Sequence, residues 1–284
     1  MTTGSAKLAG VIGWPVAQSL SPRLHAYWLR EHKIDGTYIP LAVRREDFAA
    51  VIDALHRSGF VGVNVTVPHK EAAFALAHEA DEMARAAGAA NLLLFRPDGR
   101  IEARNTDVFG LTQSLNEELD VTAFLGKAAA VLGAGGAARA AVLALDRLGA
   151  GEIRIVSRNL DRAEALASKL KDRVAAPIQC FAWDEWAQAA GDAALLINAT
   201  SAGMRGGPPL DISVEDVPAG ASLCDLVYNP LETELLKRAR ARGFKATNGL
   251  GMLLHQAVPA FEAFYGVGPA VTPELRAELE KTLA

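Results

Sequence analysis

Short apolar runs alternate with amphipathic stretches along almost the whole chain. In the first third, the runs that predict strands are 8–13, 37–43 and 61–67, and the stretches that predict helices are 22–32 and 46–57. A second alternation begins at 128, and its runs at 194–200 and 221–227 are typical of strands buried in a parallel sheet. This pattern predicts an α/β protein with largely parallel sheets.

Further elements follow from local signals. The segments 92–95 and 100–103 flank Asp98-Gly99, a dipeptide that joins hairpin strands. Residues 231–242 place four apolar side chains on one helical face and stop at Gly243. The tail is predicted to be helical over 249–265 and 273–283.

Composition narrows the class of protein. The 284 residues are 50% hydrophobic and 22% charged, which predicts about two domains with buried cores. A net charge of −4 gives no broad cationic surface, so nucleic acid is not an expected partner. Cys180 and Cys224 are too few for a disulfide framework or a cysteine-rich metal site, and we expect no metal. The longest apolar stretch, 128–145, contains Arg139 and three glycines, which predicts a soluble, cytoplasmic protein without membrane association.

A glycine-rich turn lies between an apolar strand and an alanine-rich helix. Gly133, Gly135 and Ala138 occupy the three special places of the pattern G-x-G-x-x-G/A, with Gly136 and Ala137 between them. The first glycine permits a tight turn, the second lets the backbone approach a pyrophosphate, and the small third residue lets helix and strand pack. In this strand–turn–helix context the pattern predicts dinucleotide binding rather than a purely structural turn.

The end of the next strand indicates which dinucleotide is bound. An acidic residue there would bond the ribose 2′-hydroxyl, but this chain has Ser157, Arg158 and Asn159, with Arg162 one helical turn later. Arginines grip a phosphate bidentately, and cations at a helix N-terminus oppose its dipole unless an anion is bound. These residues favour NADP(H) over NAD(H), while a solvated helix start is the alternative.

Polar clusters in the first third indicate a catalytic site. Ser21 before Pro22 fits a helix cap, but capping does not account for Ser19. Lys70 is predicted in the first turn of a helix, where a positive charge is unfavourable. A partly desolvated lysine can donate and accept protons, so Lys70 is a candidate for acid–base catalysis. The neighbouring His69 fits an ordinary hydrogen-bonded role. Asp107 fits either a helix cap or a carboxylate that holds Lys70 and a substrate hydroxyl.

Seven strings together resemble the shikimate dehydrogenase family over nearly the whole chain, in the family's order. They are SLSP (19–22), NVTVPHK (64–70), NTD (105–107), GAGGAAR (133–139), NATSAGM (198–204), VYNP (227–230) and NGLGMLLHQA (248–257). The resemblance implies an N-terminal α/β substrate domain (1–106), a Rossmann-type doubly wound NADP-binding domain (107–248) and C-terminal helices (249–284) that return to the first domain, with the active site between the domains.

The resemblance also implies roles for individual residues. Ser19 and Ser21 would bind the substrate carboxylate, Thr66 and Asn91 ring hydroxyls, and Lys70 with Asp107 would transfer the proton. Tyr228 and Gln256 would reach the substrate as well. The remaining cofactor residues implied are Thr200, Gly249 and Met252, beside the glycine turn and the Ser157, Arg158, Asn159 and Arg162 clamp.

The chain departs from the family's strings at three places. At the clamp after the second strand of the cofactor domain the family has the string NRT, and this chain has Ser157 in place of the asparagine and Asn159 in place of the threonine. Around Asn91 the family has the string GAVNT, and this chain has Leu92 in place of the threonine. The aspartate that precedes NTD in the family is replaced by Arg104. None of these changes removes a proposed catalytic group, but the first weakens the basis for the NADP preference.

The resemblance implies reversible reduction of 3-dehydroshikimate to shikimate by NADPH, in aromatic amino-acid biosynthesis. The alternatives are a quinate/shikimate dehydrogenase that uses NAD and, in another class, a catalytically silent NADP-binding regulatory module. Beyond this small-molecule substrate, the expected state is a monomer or a homodimer.

Overall fold

The first of two compact units contains a six-stranded mixed sheet. The computed structural model describes residues 2–283; the first unit extends through Thr106 and also takes in Leu254–Thr282. Its strands are β1 (Lys7–Gly13), β2 (Gly36–Ala42), β3 (Phe60–Val65), β4 (Glu79–Ala80), β5 (Leu92–Phe95) and β6 (Ile101–Arg104). Their order in the sheet is β2-β1-β3-β5-β6-β4. β1 lies parallel to both β2 and β3, whereas β5 runs antiparallel to β3 and forms the predicted hairpin with β6.

Helices connect the strands of the first unit. They are α1 (Ser21–Glu31), α2 (Phe48–Arg57), α3 (Lys70–Leu76) and α4 (Glu82–Ala87). The core on one side is built from apolar side chains of α2, β3, β5 and β6, among them Ile52, Val63 and Leu93, all fully buried. The predicted strand 61–67 ends two residues early, at Val65. The backbone N–H of Thr66 donates to Ile12, but Pro68 has no N–H with which to continue the ladder.

The second unit, Asp107–Leu253 with Leu283, contains a parallel six-stranded sheet. Its helices and strands are α5 (Asp107–Glu118), β7 (Ala128–Leu132), α6 (Gly136–Arg147), β8 (Glu152–Ser157), α7 (Leu160–Leu170), β9 (Ile178–Ala182), α8 (Trp186–Ala190), β10 (Leu195–Asn198), β11 (Ser222–Asp225), α9 (Glu234–Ala241) and β12 (Lys245–Asn248), with 3-10 turns at Val121–Ala123 and Trp183–Glu185. All residues of β7, β10 and β11 are buried, as their apolar runs predicted.

The strand order in this sheet is β12-β11-β10-β7-β8-β9. Counted from β7, this is the 3-2-1-4-5-6 order of the doubly wound dinucleotide-binding fold, with its switch point between β7 and β10. The predicted α/β architecture with a Rossmann-type sheet is therefore confirmed.

Two helices follow at the end of the chain, α10 (Leu250–Tyr265) and α11 (Pro273–Glu280). The sequence predicted both. α9 is shorter than the predicted 231–242, because Thr233 caps it by accepting a hydrogen bond from the Leu236 N–H (3.3 Å) and thereby excludes Leu231. Gly243, at φ +78°, ends α9 as predicted. Within residues 2–283 no helix is both long and apolar enough to cross a bilayer.

Candidate active site

The segments that follow β1 and β3 leave the first sheet at the same edge. These strands are parallel neighbours with Ile12 opposite Val65, and Thr66 follows β3 directly, its N–H donating to the Ile12 carbonyl (2.9 Å). Gly13 makes room for this approach, because a Cβ there would clash with Thr66 Cγ2. Ser19 and Ser21 belong to the segment after β1, so this edge of the sheet leads to three of the predicted substrate-binding residues.

Ser21 is not the cap of α1. Leu20 occupies the cap position without a side-chain hydrogen bond, and Ser21 is the first residue of the helix, with Pro22 beside it. The Ser21 N–H donates to Ser19 Oγ (3.3 Å), which ties the two serines together. Capping therefore does not consume the hydroxyl of Ser21, although its side chain is buried.

Asn91 lies at the centre of a hydrogen-bonded cluster. Its Nδ2 donates to Thr106 Oγ1 (2.9 Å) and to Gln256 Oε1 (3.3 Å), and its Oδ1 accepts from the Thr106 N–H (2.8 Å). Thr106 Oγ1 donates to Gln256 Oε1 (3.4 Å). Asn91 and Gln256, 165 positions apart, are thus brought into contact by α10.

Two buried residues that the sequence analysis did not assign extend this cluster. Asn64 Nδ2 donates to the Asn91 carbonyl (3.1 Å), and Asn64 Oδ1 accepts from the hydroxyl of Tyr38 (2.8 Å). Asn64 stands first in the NVTVPHK string, which was the available signal for it. Tyr38, in β2, belongs to none of the seven strings, and only the fold shows that it belongs to the cluster.

Lys70 is the first residue of α3, as predicted. Its carbonyl accepts a hydrogen bond from the Ala90 N–H (2.8 Å), so the start of α3 is fixed beside the residue that precedes Asn91. His69 has the structural role expected: its Nε2 lies 2.8 Å from the Val43 carbonyl, and its ring stacks on Phe48 with centroids 4.6 Å apart.

Asp107 begins α5 and is buried. It is the first residue of the second unit, directly after Thr106 of the Asn91 cluster. Asn105 is fixed by its side chain, whose Nδ2 donates to the Ala89 carbonyl (2.9 Å). The NTD string therefore connects the amide cluster of the first unit to a buried carboxylate at the start of the second.

The glycine turn joins β7 to α6. Gly133 has φ +105°, a conformation that favours glycine, and a Cβ there would lie 3.0 Å from Thr200 Cγ2. Gly135 precedes α6, and no atom lies within 4 Å of where its Cβ would be, so the backbone is open to a ligand. Gly136 and Ala137 form the first turn of α6, whose N–H groups have no partners within the helix. Ala138 is fully buried, as close helix packing requires.

The segment after β8 carries two exposed guanidinium groups. Asn159 caps α7 by accepting from the Arg162 N–H (2.9 Å), and Ser157 Oγ accepts from the Asn159 N–H (3.2 Å). The two residues that depart from the family string therefore build the turn and the cap. Arg158 and Arg162 are exposed and form no ion pair with any residue from 2 to 283.

A buried carboxylate connects the ends of β10 and β11. Asp225 accepts hydrogen bonds from Asn198 Nδ2 (2.8 Å), Thr233 Oγ1 (2.6 Å) and the Val227 N–H (3.1 Å). Burial raises the pKa of Asp225, and these three hydrogen bonds act against the shift. Asn198 Oδ1 in turn accepts from the hydroxyl of Thr200 (2.7 Å), so the network fixes the segment that carries Thr200.

Further predicted residues follow the same ends of the second sheet. Tyr228 comes after β11 and is half-buried, and Gly249 comes directly after β12, the neighbouring strand. A Cβ at Gly249 would clash with the Leu226 carbonyl oxygen, so only glycine fits there. Met252 lies in the first turn of α10 and is half-buried. Ligands of doubly wound sheets bind at this carboxyl edge of the strands.

The described residues, 2–283, contain no cluster of three or more His, Cys, Asp or Glu side chains arranged to hold a metal ion. Cys224 is buried and Cys180 is half-buried, and both are free thiols. The polar groups assembled in the two units are hydroxyls, amides, one lysine, carboxylates and arginines. Such a set suits an anionic, hydroxylated ligand and a phosphorylated cofactor.

Comparisons with known proteins agree with this assembly. Residues 11–93 match the family model of the shikimate dehydrogenase substrate binding domain, and residues 116–204 match that of shikimate/quinate 5-dehydrogenase. An NADP+-dependent shikimate dehydrogenase of Rhodospirillum rubrum is 50% identical over 98% of each chain.

Two solved structures are also similar. A shikimate dehydrogenase in complex with NADP+ superposes with a TM-score of 0.90 at 32% identity, covering 100% of this chain and 98% of the other. A quinate dehydrogenase from Corynebacterium glutamicum in complex with NAD superposes with a TM-score of 0.89 at 29% identity, covering 97% and 99%. With half of its residues identical to those of the R. rubrum enzyme over nearly the full length, this chain belongs to the shikimate dehydrogenase family.

Proposed function

We propose that the protein is an oxidoreductase that catalyses the reversible NADPH-dependent reduction of 3-dehydroshikimate to shikimate, in aromatic amino-acid biosynthesis. The observation that carries this proposal is the 50% identity over 98% of the chain to an NADP+-dependent shikimate dehydrogenase. The fold alone does not separate shikimate from quinate, because the quinate dehydrogenase superposes nearly as well as the NADP+ complex.

The second unit has the features that NADP(H) requires. The open backbone at Gly135 and the N–H groups of Gly136 and Ala137 suit a pyrophosphate. The side chain of Thr200, from the segment after β10, lies beside Gly133 of this turn. Arg158 and Arg162, supported by Ser157 and Asn159, would bind the 2′-phosphate. Gly249 and Met252 would lie on the nicotinamide side. When bound, the cofactor supplies hydride in one direction and accepts it in the other.

The first unit would bind the hydroxy acid. Ser19 and Ser21 would donate to the carboxylate, and Thr66 and Asn91 would bind ring hydroxyls together with Gln256. The support is the hydrogen-bonded cluster that fixes Asn91 and Gln256 in place. Donors held by such a cluster lose little freedom on binding, so more of their interaction energy contributes to affinity. Tyr228, from the second unit, would complete the contacts.

Lys70 would supply the proton. As the ring ketone gains electrons its oxygen becomes an alkoxide, and the ammonium of Lys70 donates a proton to it; in the reverse direction the amine takes the proton from the hydroxyl. Asp107 would bind a ring hydroxyl and orient the ammonium. The remaining residues position the substrate, and positioning supplies a large share of the rate enhancement in hydride-transfer enzymes.

The test is shikimate-dependent reduction of NADP+ by the purified protein, followed at the absorbance of the reduced nicotinamide. Shikimate and quinate are each assayed with NADP+ and with NAD+, and Lys70→Ala purified in parallel controls for host enzymes. We expect the highest kcat/KM for shikimate with NADP+. A preference for quinate with NAD+ would establish the alternative dehydrogenase, and tight NADPH binding without turnover would establish the silent module.

Two other features stay predictions. A cytoplasmic location is expected for an enzyme of biosynthesis, and fractionation of cells would test it. A monomer or a homodimer is expected, and light scattering of the purified protein would distinguish them.

A further inference from the structure

The side chain of Thr106 links the amides of Asn91 and Gln256 in the first unit. Its Oγ1 accepts a hydrogen bond from Asn91 Nδ2 (2.9 Å) and donates one to Gln256 Oε1 (3.4 Å). Asn91 Nδ2 also donates to Gln256 Oε1 (3.3 Å), so the three side chains form a closed triangle of hydrogen bonds. Asn91 and Gln256 are implied substrate ligands, whereas Thr106 has no role assigned so far.

A backbone group fixes which way round the amide of Asn91 lies. The Thr106 N–H donates to one polar atom of that amide at 2.8 Å, and a backbone N–H can only donate. The acceptor must be the carbonyl oxygen, Oδ1, so the other polar atom is the NH2 group. The backbone of Asn91 is also held, because its carbonyl accepts hydrogen bonds from Asn64 Nδ2 (3.1 Å) and the Val65 N–H (2.8 Å). The protein therefore determines the orientation of Asn91 without a ligand.

The orientation of Gln256 follows from that of Asn91. The NH2 group of Asn91 can only donate, so the atom of Gln256 that it contacts must be the oxygen, Oε1. The Thr106 hydroxyl accepts from the same NH2 group, and its own proton therefore points elsewhere, to Oε1. Oε1 thus receives two hydrogen bonds from within the protein. A ligand that contacts the amide of Gln256 therefore meets its other end, Nε2.

Burial makes this orientation expensive to change. Asn91 and Thr106 are 3% and 5% exposed, whereas Gln256 is only partly buried. Turning the amide of Gln256 over would place its NH2 group against that of Asn91, and two donors cannot satisfy each other. A buried donor without a partner is costly. The amide of Gln256 is therefore held from its buried side.

We propose that Thr106 is a positioning residue whose hydroxyl holds the amide of Gln256 with Nε2 as the donor to a ligand oxygen. The inference rests on the proposed function, in which Gln256 binds the substrate. Thr106 acts through Gln256 and does not itself touch the ligand. Because the donor is oriented before the ligand arrives, less conformational freedom is lost on binding.

The same triangle defines which ligand groups fit. Asn91 Nδ2 gives its two hydrogens to Thr106 and Gln256, so Asn91 offers a ligand the acceptor Oδ1, whereas Gln256 offers a donor. A hydroxyl satisfies either amide, because it both donates and accepts. An ammonium group cannot accept from Gln256, and a carboxylate cannot donate to Asn91. The arrangement therefore favours neutral, hydroxylated parts of a ligand at these two amides.

The experiment compares Thr106→Val, which removes the hydroxyl and keeps the shape, with Thr106→Ser, which keeps the hydroxyl. We expect Thr106→Val to raise the KM for shikimate about 3- to 10-fold, the effect of one hydrogen bond between neutral groups, with kcat within about 2-fold and the KM for NADP+ unchanged. Thr106→Ser should bring the KM for shikimate back to within about 2-fold of the parent value.

Thr112→Val is the matched control. Thr112 Oγ1 is buried and has no hydrogen-bond partner among residues 2–283, so the same chemical change removes no contact there. All three constants should stay as in the parent. The shikimate-induced shift in Tm gives a second measure of affinity for each variant. Thr106→Ala, which lacks the same hydroxyl, takes the place of Thr106→Val if that variant does not fold.

A double-mutant cycle with Gln256→Ala identifies the route of the effect. The backbone N–H of residue 106 survives each substitution, so Asn91 keeps its orientation and the effect should pass through Gln256. If it does, Thr106→Val adds less than about 2-fold to the KM for shikimate once Gln256 is alanine.

Three results would overturn the inference alone while the parent turns over normally. They are additive effects in the cycle, a KM that Thr106→Ser fails to restore, and a lower Tm of Thr106→Val with an unchanged KM, which would make the role of Thr106 purely structural. Absence of shikimate turnover in the parent would instead contradict the proposed function on which the inference rests.

Discussion

Lys70 occupies a helix position where its charge is unfavourable, and this cost is the reason to assign it a chemical role. A cation in the first turn destabilises a helix by about 0.3–1 kcal/mol through its repulsion from the helix dipole. α3 has seven residues, so few helical hydrogen bonds are available to offset this cost. We expect Lys70→Ala to lower kcat about 10²- to 10⁴-fold, the range for lost acid–base catalysis, while the KM for shikimate changes little.

Steady-state kinetics with shikimate and NADP+ measures this split. Near-normal turnover in Lys70→Ala would remove the lysine from the mechanism. A rise in KM with kcat preserved would assign Lys70 to binding alone.

His25 is a titratable group that stays neutral in the native protein over the usual range of pH. It is fully buried among aromatic rings, neither ring nitrogen has a hydrogen-bond partner among residues 2–283, and burial lowers its pKa from 6.5 to about 3. The native state therefore holds His25 neutral, whereas the unfolded chain protonates it below about pH 6.5. Since the unfolded state then binds more protons, the free energy of unfolding is greatest above that pH and falls as the pH drops toward 3.

We expect this one residue to contribute a slope approaching about 1.4 kcal/mol per pH unit between pH 6 and pH 4. Urea unfolding of the parent and of His25→Leu across that range measures it, and the variant should show a shallower dependence. Equal slopes for the two proteins would mean that His25 protonates without unfolding.

Site residues differ in whether the sequence around them is enough to identify them or whether distant parts of the chain are needed. The position of Lys70 at the start of a helix and the turn at Gly133 were predictable, because the strand, turn and helix that define each of them are contiguous in sequence. The hydrogen bond of Tyr38 to Asn64 was not predictable, because it depends on β1 placing β2 near β3, and Gln256 was assigned by family resemblance alone. Ser21 shows the opposite error: a serine before a proline is a strong capping signal, yet the chain enters α1 one residue earlier.

At the scale of elements, the start of α7 shows what the two residues that depart from the family string do. Asn159 caps the helix and Ser157 secures the turn, so Arg158 and Arg162 are presented by a fixed backbone. We expect Arg158→Ala or Arg162→Ala to raise the KM for NADP+ about 10- to 100-fold, because each charge-assisted bond is worth about 1.5–3 kcal/mol.

The KM for NAD+, which lacks the 2′-phosphate, should change little in both variants. Lys169→Ala is the matched control, an exposed cation near the other end of α7. Equal losses with NADP+ and NAD+ would show that the arginines do not discriminate between the cofactors.

Element boundaries were predictable where a local signal ends the element and not where tertiary contacts do. Gly243 ended α9 as predicted, since its φ of +78° favours glycine. The start of α9 was set instead by Thr233, whose hydroxyl both caps the helix and donates to Asp225. Likewise, the two-residue strand β4 exists only because it pairs with β6, and no pattern in so short a segment indicates that.

For the whole molecule, the notable feature is that the first unit includes Leu254–Thr282 from the far end of the chain. Trp28 Nε1 donates to the Ala270 carbonyl (3.1 Å), and the ring of Trp28 packs on that of Phe261 with centroids 5.3 Å apart. The hydroxyl of Tyr265 donates to the Thr37 carbonyl, and Gln256 Oε1 accepts a hydrogen bond from Asn91 Nδ2. The first unit therefore lacks part of its core until the last residues of the chain are present.

A chain that stops after Leu253 tests this dependence. We expect it to lose the cooperative unfolding of the first unit and all shikimate turnover, because the aromatic side chains around His25 would be exposed and Asn91 would lose Gln256. NADPH binding should persist, since Asp107–Leu253 contains the glycine turn and both arginines. Fluorescence titration with NADPH, together with near-ultraviolet circular dichroism, measures the two effects separately.

Phe261→Ala is the milder companion variant. Phe261 is fully buried, and truncating a buried phenylalanine costs about 3–5 kcal/mol, so the first unit should unfold at lower urea while NADPH affinity is unchanged. A truncated chain that still turned over shikimate would show that the first unit completes its core without α10 and α11. A truncated chain that lost NADPH binding as well would show that the second unit also depends on the missing residues, even though the chain up to Leu253 retains every strand of the second sheet.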